Sequence, residues 1–90
     1  MHQSEAYRIL ADELAVCRAM PFDELRQLAG ESFARQVRAE DATMYDVEVS
    51  ISRISADELR VEGMVAVSGS GPLRRLDRAL VVSSTGVRES

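Results

Sequence analysis

Residues 44–52 read Met-Tyr-Asp-Val-Glu-Val-Ser-Ile-Ser, and from Tyr45 onward apolar and polar side chains alternate at every step. A period of two places successive side chains on opposite faces of a β-strand. One face of this stretch would therefore meet a core and the other would meet water. The apolar row is Tyr45, Val47, Val49 and Ile51. The pattern predicts a half-buried strand, about 44–53, in an antiparallel sheet.

The next stretch, about 59–67, repeats the alternation and predicts the partner strand. A three-residue turn at residues 55–57 would place Ile51 opposite Val61 and Val47 opposite Val65, so that the two apolar rows share one face. Gly63 interrupts the inner row. A glycine inside a strand is typical of a bulge or of a place where a helix approaches closely.

Before residue 30 the apolar residues recur every three or four positions, which indicates helices. One stripe, expected to face the core, predicts a first helix at about 4–19. Its members are Tyr7, Leu10, Leu14 and Cys17. Pro21 marks a corner and suits the start of a second helix, about 22–29, which Gly30 can close in a left-handed conformation.

Two weaker strands complete the pattern. The strand at about 33–39 would point Arg35 inward, and the strand at about 76–83 is apolar on both faces, which predicts a central or covered position. Residues 68–72 are a loop by composition, and residues 87–90 are expected to fray. The fold prediction is a single α+β domain over 1–90, with two N-terminal helices packed on one face of an antiparallel β-meander of three to four strands.

Composition limits the function classes. The chain has 90 residues, a formal net charge of −4 and a pI near 4.9, so no global field attracts it to nucleic acid or to an anionic membrane. No stretch approaches the roughly 18 apolar residues of a membrane span. Cys17 is the only cysteine. We therefore expect a cytoplasmic protein with neither a nucleic-acid nor a membrane partner.

The residues that most often carry catalysis are sparse. His2 is the only histidine and lies at a terminus, and Cys17 shares the apolar helix stripe, which predicts a buried, unreactive thiol. The acids Asp46 and Glu48 share a strand face, with Glu62 expected near Ser50, but a solvated sheet face normally carries such charges. We predict no catalytic residue, no metal site and no cofactor.

A possible anion or partner patch follows the Ser-Gly-Ser-Gly-Pro run at residues 68–72. It comprises Arg74, Arg75 and Arg78. Guanidinium groups bind phosphate in bidentate fashion, and glycines can aim backbone amides at an anion. The run lacks the Lys and the Ser or Thr of a nucleotide-binding loop, so an ordinary loop is the favoured interpretation.

Three segments together resemble a group of small uncharacterised bacterial proteins. They are residues 20–25, Met-Pro-Phe-Asp-Glu-Leu; residues 45–49, Tyr-Asp-Val-Glu-Val; and residues 73–86, which contain Ala-Leu-Val-Val and end in a Gly turn. The resemblance spans most of the chain and implies the same order of elements. It implies no activity and no functional residues.

The sequence leaves three interpretations of the function open. The first is a non-enzymatic binding module, homodimeric through a sheet edge or face, motivated by the two-sided apolar final strand and by Met64 and Ala66 on the nominally wet face. The second is a small-ligand protein or enzyme with a site between helices and sheet. The third is an acidic inhibitor or immunity-type partner of a basic protein.

Overall fold

The computed structural model describes residues 3–69 and 75–89, with the side chains of residues 3, 4 and 89 left aside, and it has an α+β fold. Two helices precede five strands in the chain. Their bounds are α1 Gln3–Ala19, α2 Phe22–Gln27, β1 Ser32–Arg38, β2 Met44–Ser55, β3 Glu58–Val67, β4 Arg75–Ser83 and β5 Gly86–Glu89. The change from helical to alternating apolar spacing after residue 30 is therefore also the boundary between helices and strands.

The strands form one antiparallel sheet in the order β1-β2-β3-β4-β5, a simple meander. The predicted pairing of β2 with β3 is confirmed, since Ile51 lies opposite Val61 and Val47 opposite Val65. The connection is tighter than the predicted three-residue turn. Strand β2 continues to Ser55, with a register shift between Arg53 and Ser55, and the turn is made by residues 56–57. The shift lets a short turn keep both apolar rows on one face.

Two parts of the predicted architecture need correction. The sheet has five strands rather than three or four, because residues 86–89 pair with the end of β4, although fraying was expected from residue 87 onward. That pairing places Val87 opposite Val82 and makes β4 an interior strand over residues 80–83, the central position predicted for it. The second helix has only six residues, and its buried residue is Leu25. Most of the helical cover on the sheet therefore comes from α1.

Helix α1 lies closest to β3, and the space at Gly63 measures the distance between them. A Cβ atom added at Gly63 would lie 2.8 Å from Leu10 Cδ1 and 3.2 Å from Leu14 Cδ2. Of the two roles expected for this glycine, the close approach of a helix is the one observed. Tyr7, predicted on the buried stripe, is instead 44% exposed, because the stripe that faces the sheet is rotated toward Ala6 and Leu10, both fully buried.

The segment after α2 connects the helices to the sheet. Gly30 has a φ of 92°, the left-handed conformation predicted for it. Its N–H donates to the Ile51 carbonyl at 2.7 Å, and the Ile51 N–H donates to the Glu31 carbonyl at 3.1 Å. These bonds fix where β1 begins beside β2, and they set the position of the sheet edge described next.

Candidate functional site

Strand β1 is an open edge of the sheet, seven residues long, and most of it is exposed. The Ile51 N–H donates to the Glu31 carbonyl and the Ala39 N–H donates to the Thr43 carbonyl, so the odd-numbered residues of β1 direct their backbone groups toward β2. By the alternation of an antiparallel ladder, the even-numbered residues direct theirs outward. The outward set is Ser32, Ala34, Gln36 and Arg38. This edge has the backbone pattern that an added strand requires.

An apolar groove runs beside this edge on the helix side of the sheet. It has a volume of about 190 Å³, and its lining comes from α1, from Met20 and Leu28 on either side of α2, and from the first two strands. Two large apolar side chains at the groove are unusually exposed, Val16 at 61% and Phe33 at 47%. Because α1 lies over β3, the helix-facing side of β1 stays uncovered. An open strand edge and an apolar surface thus occur together.

A charged pair joins α1 to the open edge strand. Arg35 lies opposite Val47 in the register, on the helix side of the sheet, and its guanidinium forms a salt bridge with the Glu13 carboxylate. The Glu13 side chain is 15% exposed and that of Arg35 is 65% exposed. The arginine expected to point inward therefore points toward the helix and finds a partner at the margin of the groove. Its charge does not enter the core.

The acidic residues on the other sheet face lie in a hydrogen-bonded, solvated arrangement. Asp46 accepts from Ser68 Oγ at 2.7 Å and from Gln36 Nε2 at 3.2 Å. Glu62 lies opposite Ser50, as expected, and its carboxylate is 3.8 Å from the Arg60 guanidinium. In the described part of the chain no group of three or more His, Cys, Asp or Glu side chains could hold a metal ion.

The buried polar side chains offer little nucleophilic chemistry. Cys17 is a free, buried thiol, and desolvation by burial raises its pKa above the ordinary value. Burial first, and then the charges of Asp41 and Glu5, raise the pKa of Tyr45, whose hydroxyl has no hydrogen-bond partner in the described residues. Both groups are held in the neutral form. His2, the remaining candidate, lies outside the described residues.

Two of the three arginines in the predicted patch lie in the described residues, and the structure places them on different faces of the sheet. Arg74 lies outside the described residues. Arg75 lies opposite Ala66 and Arg78 opposite Gly63, so the two arginines project from opposite faces of the sheet. Arg75 contacts Asp77 at 3.5 Å, whereas the Arg78 guanidinium lies 5.1 Å from the centre of the Tyr7 ring on the helix side.

Two exposed apolar side chains of the groove, Val16 and Phe33, are not among the functional residues predicted from the sequence. Val16 stands off the apolar stripe of α1, and an apolar residue on the polar side of an amphipathic helix is a signal that can be read from the sequence. Phe33 was placed at the start of a strand with no prediction of its exposure. Its position at an uncovered edge depends on strand order, which periodicity alone does not give.

Comparison with known proteins adds no relative. No family model, no curated protein and no solved structure matches the chain. The resemblance to small bacterial proteins therefore stays an expectation. Within residues 3–69 and 75–89, neither helix has the length and apolarity needed to cross a bilayer.

Proposed function

We propose that this protein is a non-enzymatic interaction module that forms a homodimer through the open edge of β1 and the apolar groove beside it. The observation that carries the proposal is the coincidence of the two features. The even-numbered residues of β1 direct backbone donors and acceptors outward, and Phe33 and Val16 are exposed beside them. An added strand satisfies the backbone groups and removes the apolar side chains from water.

Side-chain complementarity favours one pairing register. A two-fold axis at Ala34 would place Phe33 of one copy opposite Arg35 of the other, and Ser32 opposite Gln36. This arrangement forms about six main-chain hydrogen bonds between the copies and sets a guanidinium beside an aromatic ring. An axis at Arg35 would instead oppose two like charges. The register centred on Ala34 is therefore the one we propose.

A site enclosed between the helix and the sheet is the weaker candidate. The interface of α1 with β3 is closely packed, as the 2.8 Å approach at Gly63 indicates, and the described part of the core has no buried charged residue. An acidic inhibitor of a basic protein remains a rival that fits the net charge of −4. Cytoplasmic location and bacterial origin belong to the proposal as well, the first on the free Cys17 thiol and the second on the resemblance.

Sedimentation velocity with a pair of matched variants tests the proposal. Phe33 and Ile54 are similarly exposed, at 47% and 52%, but Ile54 lies at the register shift near the distal turn of the hairpin. We expect the unmodified protein to dimerise with a Kd of about 1–100 µM, as suits a small interface. Phe33→Asp should weaken dimerisation at least about tenfold because a charge replaces a buried ring.

The control variant Ile54→Asp should leave the dimer unchanged. Ala34→Pro gives an independent test, since proline removes an outward-facing N–H but no N–H that bonds to β2. A strict monomer up to about 1 mM would remove the homodimer. Equal losses in Phe33→Asp and Ile54→Asp would place the contact elsewhere.

A further inference from the structure

The open edge strand β1 carries positive charge and no negative charge. It reads Ser-Phe-Ala-Arg-Gln-Val-Arg, so its charged residues are Arg35 and Arg38. Arg35 is near the middle of the strand, on the helix side of the sheet, and Arg38 is the last residue before the turn to β2. Like charges on paired strands repel each other. A charge that compensates for the pairing of two β1 strands must therefore come from outside the strand.

The proposed register brings the two central arginines close together. A two-fold axis at Ala34 relates two antiparallel strands and keeps the helix sides of both copies on one face of the joined sheet. Arg35 of one copy is then opposite Phe33 of the other, and the two Arg35 side chains are diagonal neighbours on that face. Diagonal neighbours are about 7–8 Å apart. Because this separation is shorter than the Debye length of about 10 Å at 0.1 M salt, two uncompensated guanidinium charges would repel each other.

Helix α1 supplies the compensating charge. The Glu13 carboxylate forms a salt bridge with the Arg35 guanidinium, and the Glu13 side chain is 15% exposed. Glu13, Val16, Cys17 and Met20 line the groove at the spacing i, i+3, i+4, i+7, so together they form its helix wall. Glu13 is the charged member of this wall. A partly buried ion pair is screened by salt less than an exposed one, so the compensation is retained at ordinary ionic strength.

We infer that Glu13 is a specificity-determining residue of the proposed dimer: it neutralises Arg35 in each copy and so permits β1 to pair with a second copy of itself. The inference rests on the proposed homodimer through β1. Glu13 acts through Arg35, from a helix that is not part of the joined strands. Without Glu13, the pairing would bring two uncompensated positive charges together on one face. A salt bridge that only tied α1 to β1 would stabilise the fold but would give the pairing no dependence on charge.

Sedimentation velocity of Glu13→Gln at two salt concentrations tests this role. In about 0.1 M sodium chloride the dimer Kd should rise about fivefold, because two like charges then face each other at short range. In about 1 M sodium chloride the Debye length falls to about 3 Å, and the Kd should lie within about twofold of that of the unmodified protein at the same salt concentration. The sign of the effect is informative. The chain has a formal net charge of −4, so the loss of one acid by itself lowers the overall repulsion between copies and favours the dimer.

Two further variants separate neutralisation of charge from a structural role. Asp12→Asn makes the same change of charge at the preceding, exposed position of α1, which does not line the groove, and should leave the Kd within about twofold. The double variant Glu13→Gln/Arg35→Gln lacks the salt bridge but also lacks the uncompensated charge. Its Kd in 0.1 M salt should return to within about threefold of the unmodified protein, a margin that includes the lost contact of Arg35 with Phe33. A purely structural salt bridge would leave the double variant as weak as Glu13→Gln.

Thermal unfolding of each variant checks that folded proteins are compared. If Glu13→Gln does not fold, Glu13→Asp replaces it, because aspartate retains the charge. The dimer of Glu13→Asp should stay within about threefold of the unmodified protein, and a loss of about tenfold or more would overturn the role of Glu13.

The role of Glu13 is equally overturned if Glu13→Gln leaves the Kd unchanged in 0.1 M salt, if its loss is as large in 1 M salt, or if the double variant stays weak. Any of these results, combined with a dimer that Phe33→Asp weakens, leaves the proposed function intact. A protein that is strictly monomeric up to about 1 mM overturns both. A salt-dependent loss in Glu13→Gln, with recovery in the double variant, supports the inference.

Discussion

The two flanks of helix α1 differ in chemistry although one helix creates both. On one flank lies the open edge of β1 with an apolar groove, and on the other lies β4, where the Arg78 guanidinium is 5.1 Å from the centre of the Tyr7 ring. A helix is about 10 Å wide and strands are about 4.8 Å apart, so one helix covers roughly two strands of five. The helix-facing residues of β2 and β3 and the end of β4 are buried, whereas Phe33 on β1 is 47% exposed, so the β1 flank is the open one.

The far edge of the sheet is also protected differently. Among the described residues, strand β5 pairs with β4 only over residues 80–83 of β4, so residues 75–79 of that strand have no strand beside them on that edge. In the described part of the chain, no strand pairs with the outer edge of β1 along its seven residues. Apolar groups beside a fully open edge favour the addition of another strand, and the pairing of β5 leaves less of the far edge open to one.

The largest expected effect comes from disturbing the packing of α1 on β3, because this contact separates the two flanks. Leu10→Ala should lower the free energy of unfolding by about 2–5 kcal/mol, because Leu10 is fully buried. Gly63→Ala should lower it by about 1–3 kcal/mol, because the new methyl group meets Leu10 Cδ1. Urea unfolding of both single variants and of the double variant measures these values.

The double variant distinguishes direct contact from independent effects. Removing the Leu10 side chain makes room for the methyl group at position 63, so the two losses should sum to more than the double variant shows, by at least about 0.5 kcal/mol. If the two losses of unfolding free energy were strictly additive, α1 would not pack against Gly63. The division of the sheet into two flanks would then lose its structural basis.

A smaller effect concerns the thiol on the apolar flank. The folded-state pKa of Cys17 lies above its ordinary value of 9.0 because burial disfavours the thiolate. Below pH 9 the thiol is neutral in both states; as the pH rises from 9 through the folded-state pKa, only the unfolded chain loses the proton. The folded protein must therefore lose stability over that range.

Urea unfolding at pH values between 8 and 10 tests this reasoning, with Cys17→Ala as the control whose stability should fall less steeply with pH. Tyr45 also has a raised pKa, but its ordinary value of 10.0 places its contribution higher on the pH scale.

A thiol reagent should label Cys17 slowly until denaturant is added. Fast labelling of the native protein would make the groove a reactive site rather than a docking surface.

The sequence predicted the parts of the fold that depend on the local spacing of apolar residues. The alternation of Tyr45 to Ile51 and of Leu59 to Val67 gave the faces of β2 and β3 and their register. Strand β5 was missed because residues 86–89 hold one large apolar side chain, Val87, and their pairing depends on the edge that β4 offers. A four-residue strand has no periodicity of its own to read.

The candidate sites were harder to predict, for two different reasons. The separation of Arg75 from Arg78 was already implied by the alternation of β4, because residues three apart on a strand face opposite sides. The groove depends instead on which strand the helix crosses. Gly63 indicated that a helix approaches closely at this position. The packing of Leu10 against Gly63, which sets the position of α1 and leaves Phe33 exposed, cannot be read from local periodicity.

Amide hydrogen exchange in β1 tests the central claim most directly, because alternate residues give opposite predictions. At a concentration well below the Kd that sedimentation gives, the N–H groups of Ser32, Ala34 and Gln36 should exchange fast, while those of Phe33 and Arg35, bonded to β2, are protected. At about 1 mM the first set should become protected as the second strand adds. Unchanged, fast exchange of the first set at the higher concentration would contradict the account.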